Sequence, residues 1–141
     1  MKLILIRGLP GTGKTTLARR LTIKRRWHYE ADFYFYKGWN GRGPYEFDAS
    51  KLTEAHLWCQ KRIKEHMIMK TPMLVVANTF STRWELGHYA ELAKAYQYDT
   101  SVIKMVGCHG NIHDVPQETI DKMAERWEEW PTELTLEGCG K

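Results

Sequence analysis

The sequence has few cysteines and no long apolar run, and both absences narrow what the protein can be. Its 141 residues include three cysteines, Cys59, Cys108 and Cys139, which lie far apart and form no CxxC pair. Neither a disulfide framework nor a zinc knuckle is indicated, and a reducing cytoplasm fits this usage. The apolar run at residues 3–6 is too short for a signal peptide or a membrane span, so no membrane association is predicted.

Acidic residues are also missing from the first 26 positions, although the net charge of the whole chain is only +4. A basic amino-terminal part suits polyanions such as nucleotides or nucleic acid. On charge alone, a solvated surface helix explains this bias better than a binding site does. The apolar content of 43% is ordinary for a globular chain, and the length predicts a single domain over residues 1–141.

Segments with strand and helix patterns alternate along the chain. The predicted strands are residues 2–7, 27–31, Met73–Ala77 and 101–106. The predicted helices cover residues 15–24 and begin near Asp48 or Ser50, near Thr82 and near Pro116. This alternation predicts a small, open, mostly parallel α/β sheet of about four strands flanked by helices. Residues 130–141 show no periodicity and are predicted to form a loosely ordered tail.

The strongest motif is GxxxxGK[ST], which matches residues 8–15 fully, between a predicted strand and a predicted helix. Gly11 and Gly13 let the backbone curl so that several N–H groups point at bound phosphates. Lys14 is expected to reach the β- and γ-phosphates, and the Thr15 hydroxyl to ligate Mg²⁺. The predicted nucleotide-binding residues are Gly8, Pro10, Gly11, Thr12, Gly13, Lys14, Thr15 and Thr16. The fold class is therefore a P-loop NTPase, with ATP or GTP and Mg²⁺ as ligands.

The phosphate-binding loop does not decide the reaction. Motor and switch ATPases carry a Walker-B aspartate at the end of an apolar strand. Here Met73–Ala77 runs into Asn78 and Thr79 without a carboxylate. This absence and the short chain favour a small phosphotransferase over an ATPase machine.

Asp32 is the candidate general base, because it follows the predicted strand at residues 27–31. Ligands of open α/β sheets bind beyond the carboxyl ends of the strands. A carboxylate there can accept the proton of an attacking hydroxyl or hold Mg²⁺ through water. An ordinary surface turn is the alternative for this aspartate.

Two further segments carry candidate substrate contacts. Arg42 lies in a glycine-rich loop at residues 36–45, close to many aromatic residues. Rings beside basic side chains are how proteins stack unpaired bases, although most of these rings are expected to fill the core. His109 and His113 stand four residues apart among glycines, which argues for a mobile lid over the phosphates rather than a zinc site.

Taken together, these motifs resemble a known family. They are GLPGTGKTTLAR, Asp32, AHLWCQ at residues 55–60, Asn78-Thr79 and NxHxVP at residues 111–116. Their order is similar to that of the P-loop kinases that include the kinase half of phage polynucleotide 5′-kinase and the AAA-labelled, zeta-toxin-like kinases. The resemblance spans roughly residues 2–128.

The resemblance implies transfer of the γ-phosphoryl group of ATP or GTP to a 5′-hydroxyl of DNA or RNA, on a single strand or at a 5′ end. It implies that Asp32 is the general base on that hydroxyl and that Asn78 lies near the acceptor. It also allows a phage-encoded protein that acts in the host cytoplasm.

This chain departs from the family pattern at two positions. The family has an arginine three residues after the base, where this chain has Phe35 as a candidate substrate contact, and a lid arginine where it has Gly110. The side chains that can substitute are Arg42, Arg83, Lys104, His109 and His113. Otherwise the substrate differs from that of the family.

Two alternatives to a polynucleotide kinase stay open. One is a kinase that acts on a nucleoside, a nucleotide or a metabolite with the same loop and base. The other is a nucleotide-binding regulator, similar to a toxin, with little catalysis. The aromatic and basic segment at residues 33–42 favours the nucleic-acid acceptor, and the oligomeric state is left open.

Overall fold

A computed structural model describes residues 1–107 and 115–138 and shows a sheet between two layers of helices. Five parallel strands lie in the order β2-β3-β1-β4-β5. The strands are β1 Lys2–Arg7, β2 His28–Tyr29, β3 Met73–Ala77, β4 Asp99–Val106 and β5 Leu134–Glu137. The helices are α1 Lys14–Leu21, α2 Leu52–Ile68, α3 Arg83–Ala95 and α4 Gln117–Glu125. The predicted α/β P-loop NTPase class is confirmed.

The central strands are apolar throughout because both faces of the sheet are covered. Side chains alternate across β1, so that Leu3 and Leu5 face one layer while Ile4 and Ile6 face the other. Helices α2 and α3 pack on the first layer, and α1 packs on the second through Ala18. This arrangement aligns the carboxyl ends of β1, β3 and β2 at one edge of the sheet.

The second strand differs most from its prediction. It pairs with β3 at only two positions, His28 with Val75 and Tyr29 with Val76. The chain then turns into a 3₁₀ helix at Ala31–Phe35, so Asp32 lies on that helix and not at a strand end. Helix α1 is also shorter than predicted, since Thr22 already has an extended backbone.

Helices α3 and α4 begin where the sequence predicts. The Thr82 hydroxyl accepts from the Glu85 N–H, and the Glu85 carboxylate accepts from the Thr82 N–H, which together form a capping box. Pro116 is the cap residue of α4. Across the described ranges, no helix combines the length and the apolar character needed to cross a bilayer.

The prediction of a loosely ordered tail is wrong for residues 131–138. Leu134–Glu137 adds β5 to the sheet beside β4, which raises the strand number from about four to five. The fully buried Arg7 explains this order. Its guanidinium donates to the Glu133 carboxylate at 2.7 Å and to the Glu128 carbonyl at 2.6 Å, and it stacks on the Trp127 ring. The sequence pattern shows none of this, because these contacts bridge distant parts of the chain.

Candidate active site

The phosphate-binding loop connects β1 to α1 in the conformation that its glycines allow. Gly11 and Gly13 have φ values of 84° and 89°, a left-handed region that residues with a Cβ rarely adopt. Gly13 is the cap of α1, so the first N–H groups of that helix face the loop. Such an array of N–H groups at a helix start is an anion site.

Lys14 is the first residue of α1 and folds back over the loop. Its Nζ donates to the Leu9 carbonyl at 3.0 Å. Desolvation lowers the pKa of Lys14 from 10.5 to about 8, although the charges of Glu30 and Asp32 act in the opposite direction. The ammonium group is therefore close to two carboxylates and poised to gain from an incoming phosphate.

Glu30 is a site residue that the motifs in the sequence did not reveal. Its two carboxylate oxygens lie 3.0 and 2.8 Å from the Thr15 Oγ1, and its Oε2 lies 2.7 Å from the His28 Nε2. Glu30 and His28 are both buried. The alternation of His28, Glu30 and Asp32 at every second position was the available signal for this acid.

Asp32 lies near Lys14 but is held by a different part of the chain. The Tyr45 hydroxyl donates to the Asp32 Oδ1 at 2.6 Å. Burial and this hydrogen bond raise the pKa of Tyr45 well above its ordinary value, so the phenol stays protonated and acts as the donor. The Asp32 carboxylate is thus fixed by the far end of the loop at residues 36–45.

Asn78 serves the backbone beside these acids. Its Oδ1 accepts from the Ala31 N–H at 2.8 Å, and the side chain is buried. This bond fastens the residue between Glu30 and Asp32 to the carboxyl end of β3. Asn78 therefore positions the two acids, whereas the family resemblance implies a place near the acceptor.

The Thr15 hydroxyl and the Glu30 carboxylate fit a magnesium site by their chemistry. Both are hard oxygen donors, which Mg²⁺ prefers. Within the described residues there is no cluster of three or more histidine, cysteine or acidic side chains that would form a metal site by itself. A magnesium ion here would depend on nucleotide phosphates for part of its ligands.

A basic cleft lies beside the acids, between α1 and the loop at residues 36–45. It has a volume of about 470 Å³. It is lined by Arg19, Thr22, Arg25, His28, Phe33, Asn40 and Arg42. Desolvation, followed by the charges of Arg42 and Arg19, lowers the pKa of Arg25, which shows how closely the three guanidinium groups stand.

Two residues that line the cleft connect it to the acids. His28 lines it and also contacts Glu30, while Phe33 lines it and follows Asp32 in the chain. Desolvation first, and then the charge of Asp32, raise the pKa of Tyr36, on which the Arg19 charge acts in the opposite direction. Arg19 of the cleft and the candidate base Asp32 therefore both influence the pKa of the Tyr36 hydroxyl.

Other predicted substrate residues lie elsewhere. Phe35 is in the hydrophobic core with 6% exposure, so its side chain is not available to a substrate. The Arg83 Nε donates to the Glu129 carbonyl at 2.7 Å, and the Lys104 Nζ pairs with the Glu129 carboxylate at 2.8 Å. Both basic side chains thus hold the carboxyl-terminal segment. His109 and His113 lie outside the described residues, as do Cys108 and Cys139.

Comparison with known proteins agrees with this architecture. The model of a family described as AAA domain matches residues 3–109. The chain is 35% identical over 137 residues to NEDD4-binding protein 2 of Homo sapiens, an alignment that covers 89% of this chain. It spans only 8% of the length of that relative.

Two solved structures share the fold at low sequence identity. Kti12 of Chaetomium thermophilum, in complex with ADP-AlF3, has a TM-score of 0.65 and 16% identity, and the match covers 99% of this chain and 90% of that one. A gluconokinase from Sinorhizobium meliloti 1021 has a TM-score of 0.57 and 12% identity, with coverage of 99% and 84%. Because the family model matches most of the chain, the protein belongs to the AAA domain family.

Proposed function

We propose that the protein is a P-loop phosphotransferase that moves the γ-phosphoryl group of ATP or GTP to a 5′-hydroxyl of DNA or RNA. The observation that carries this proposal is the basic cleft with three arginines next to Asp32. A kinase acting on a polyanion needs positive charge where the acceptor lies, in addition to the charge that holds the donor.

The donor side of the reaction rests on the phosphate-binding loop. The N–H groups around Gly13 and the ammonium group of Lys14 would neutralise the β- and γ-phosphates. The Thr15 hydroxyl would ligate Mg²⁺, which supplies Lewis-acid stabilisation of the transferring group when it is bound. Positioning and neutralisation of charge account for most of the rate in phosphoryl transfer.

The acceptor side rests on Asp32. Tyr45 donates to one carboxylate oxygen and fixes the direction of the group. An aspartate held in this way would accept the proton of the attacking 5′-hydroxyl. Proton transfer to a positioned base typically contributes about 10²–10⁴-fold to a rate, so the loss of Asp32 is expected to reduce turnover by this order.

The nucleic acid itself would contact the arginines and an exposed aromatic pair. Trp39 is 55% exposed and stacks on Tyr34, with ring centroids 6.1 Å apart and nearly parallel planes. An unpaired base of the strand can stack on the outer face of such a pair, while Arg19 and Arg42 contact the phosphates of the same strand. The two contacts together would select a strand over an isolated nucleoside.

The test is transfer of a γ-³²P label from ATP, and separately from GTP, to a 5′-hydroxyl oligonucleotide and to a nucleoside. The wild-type protein is expected to label the oligonucleotide. Lys14→Ala is expected to abolish labelling, and Asp32→Asn to slow it while leaving nucleotide affinity within about twofold. Near-normal turnover of Asp32→Asn would remove Asp32 as the base.

The size of the cleft supports one second candidate, a kinase for a small anionic acceptor. A volume of about 470 Å³ lies within the usual range for small-molecule sites. Labelling of a nucleotide or metabolite, with no labelling of the oligonucleotide and little effect of salt, would favour this candidate. Slow hydrolysis that no acceptor stimulates would favour a nucleotide-binding regulator.

A further inference from the structure

We propose that Glu30 performs the task of the missing Walker-B carboxylate: it accepts the hydrogen of the Thr15 hydroxyl and so turns that oxygen toward Mg²⁺. The proposal rests on nucleotide binding as part of the proposed function, but not on the identity of the acceptor. It assigns a positioning role to a residue outside the phosphate-binding motif.

The first argument is the direction of the hydrogen bond. The Thr15 Oγ1 lies 3.0 and 2.8 Å from the two Glu30 oxygens. An ionised carboxylate only accepts hydrogen bonds, so the single hydrogen of the hydroxyl must point to Glu30. The lone pairs of the Thr15 oxygen are then directed elsewhere, as a ligand of a cation requires.

The second argument is that Glu30 is rigidly held. The His28 Nε2 lies 2.7 Å from the Glu30 Oε2, and His28 sits in β2, where it pairs with Val75 of β3. The Phe33 ring packs edge-on against the His28 ring, with centroids 5.0 Å apart. Residues that orient a metal ligand are usually held by contacts of their own, and these contacts keep the Glu30 carboxylate directed at Thr15.

The third argument is where the carboxylate comes from. The residue after β3 is Asn78, and its oxygen is used by the Ala31 N–H. Because β2 and β3 run in parallel with Tyr29 beside Val76, Glu30 follows at the next step of the neighbouring strand. The acid therefore reaches Thr15 from β2 and not from β3.

A division of labour between two acids follows. Glu30 is buried against Thr15 and His28, whereas Asp32 is half-buried and bonded to Tyr45. We expect Glu30 to govern metal-dependent nucleotide binding and Asp32 to govern turnover. Substitution of the two acids should separate these effects.

The experiment measures binding of a fluorescent ADP to the whole chain, first in EDTA and then during titration with Mg²⁺, together with direct Mn²⁺ binding by EPR in the presence of ADP. Glu30→Gln is expected to weaken Mn²⁺ and Mg²⁺ binding roughly 10–100-fold. Binding of ADP in EDTA should stay within about twofold. Glu118→Gln is the control, since it removes one acidic charge at an exposed position of α4, and it should leave the metal titration unchanged. Asp32→Asn removes the same charge two residues from Glu30 without a bond to Thr15, and it should weaken metal binding less than Glu30→Gln does.

Glu30→Asp is the second variant, because loss of the buried hydrogen bonds can reduce folding of Glu30→Gln. It keeps the charge but withdraws it from Thr15, so metal binding is expected to fall between wild type and Glu30→Gln. A folded Glu30 variant with wild-type Mn²⁺ affinity would overturn the proposal. Failure of the wild type to bind ADP both in EDTA and at saturating Mg²⁺ would refute nucleotide binding itself. Normal metal binding without oligonucleotide labelling would refute only the acceptor.

Discussion

Basic side chains on the two sides of the sheet are used in opposite ways. On the side of β4 and β5, Arg7 and Lys104 form ion pairs with the carboxyl-terminal segment, and Arg83 donates to it. On the side of β2, the three arginines of the basic cleft form no ion pair with any other described residue. Basic side chains thus stabilise the fold on the side of β4 and β5, whereas those on the side of β2 remain available to a bound anion.

The comparison shows why residue type does not predict role. By sequence alone, Arg42, Arg83 and Lys104 are equal candidates for contact with the substrate. Their partners separate them, because Glu129 interacts with both Arg83 and Lys104. Glu129 lies in a segment without any recognisable motif.

Substitution of Arg7 is expected to give the largest loss in the free energy of unfolding, because Arg7 holds the carboxyl-terminal segment on the side of β4 and β5. Arg7→Met leaves the Glu133 carboxylate and the Phe80 and Glu128 carbonyls without their shared donor. Removal of one partner from a buried ion pair typically costs about 3–5 kcal/mol. Urea unfolding is expected to show this loss, while Arg20→Met on the exposed face of α1 should change stability by less than about 0.5 kcal/mol. A loss below about 1 kcal/mol in Arg7→Met would contradict the anchoring role.

Substitution of Arg19 and Arg42 tests whether the basic cleft on the side of β2 binds nucleic acid. The Arg19→Ala/Arg42→Ala double variant is expected to keep its free energy of unfolding within about 1 kcal/mol, since both side chains are exposed. Its affinity for a single-stranded oligonucleotide should fall, and the slope of log K against log salt should decrease by roughly 0.7 for each phosphate that the variant no longer neutralises. Lys61→Ala/Arg62→Ala on the exposed face of α2 is the matched control, since it also removes two positive charges, and an equal loss of affinity in that variant would refute the cleft as the binding site.

Lys14 is expected to make the affinity for ADP depend on pH. Phosphates bind the protonated amine, and the pKa of Lys14 is about 8 without ligand. Affinity for ADP in EDTA should therefore stay level below about pH 8 and fall as the pH rises above it, by up to about tenfold per unit. Isothermal titration calorimetry from pH 6.5 to 9.5 measures this dependence. Lys14→Met should show a weaker and flatter profile, and a flat profile of the wild type would contradict the lowered pKa.

The smallest expected effect is on Lys104. Its partner Glu129 is largely exposed, and such ion pairs typically contribute about 0–1 kcal/mol. Lys104→Ala should lower the midpoint of thermal unfolding by only a few degrees, and it should leave oligonucleotide labelling unchanged. A strong loss of labelling with normal stability would move Lys104 from the structural group to the functional one.

The sequence was sufficient for features that depend on near neighbours. The strand before the phosphate-binding loop, the helix after it and the capping box at Thr82 all lie within a few residues of their signals. The site was only partly predictable, because Thr15 meets Glu30 and Ala31 meets Asn78 through the pairing of separate strands. The tail was unpredictable for the same reason, since its order depends on Arg7, which is 126 residues away from Glu133 in the chain.

This separation also constrains the order of events during synthesis. Arg7 leaves the ribosome 126 residues before its acidic partner Glu133, which is made only after β4 and α4 are complete. Until then we expect the guanidinium group at the end of β1, directly before Gly8 of the phosphate-binding loop, to stay hydrated. Contacts of such high sequence separation form late in folding and slow it. We therefore expect the phosphate-binding loop of a nascent chain to become ordered only after β5 has paired with β4, although the whole motif is synthesised much earlier.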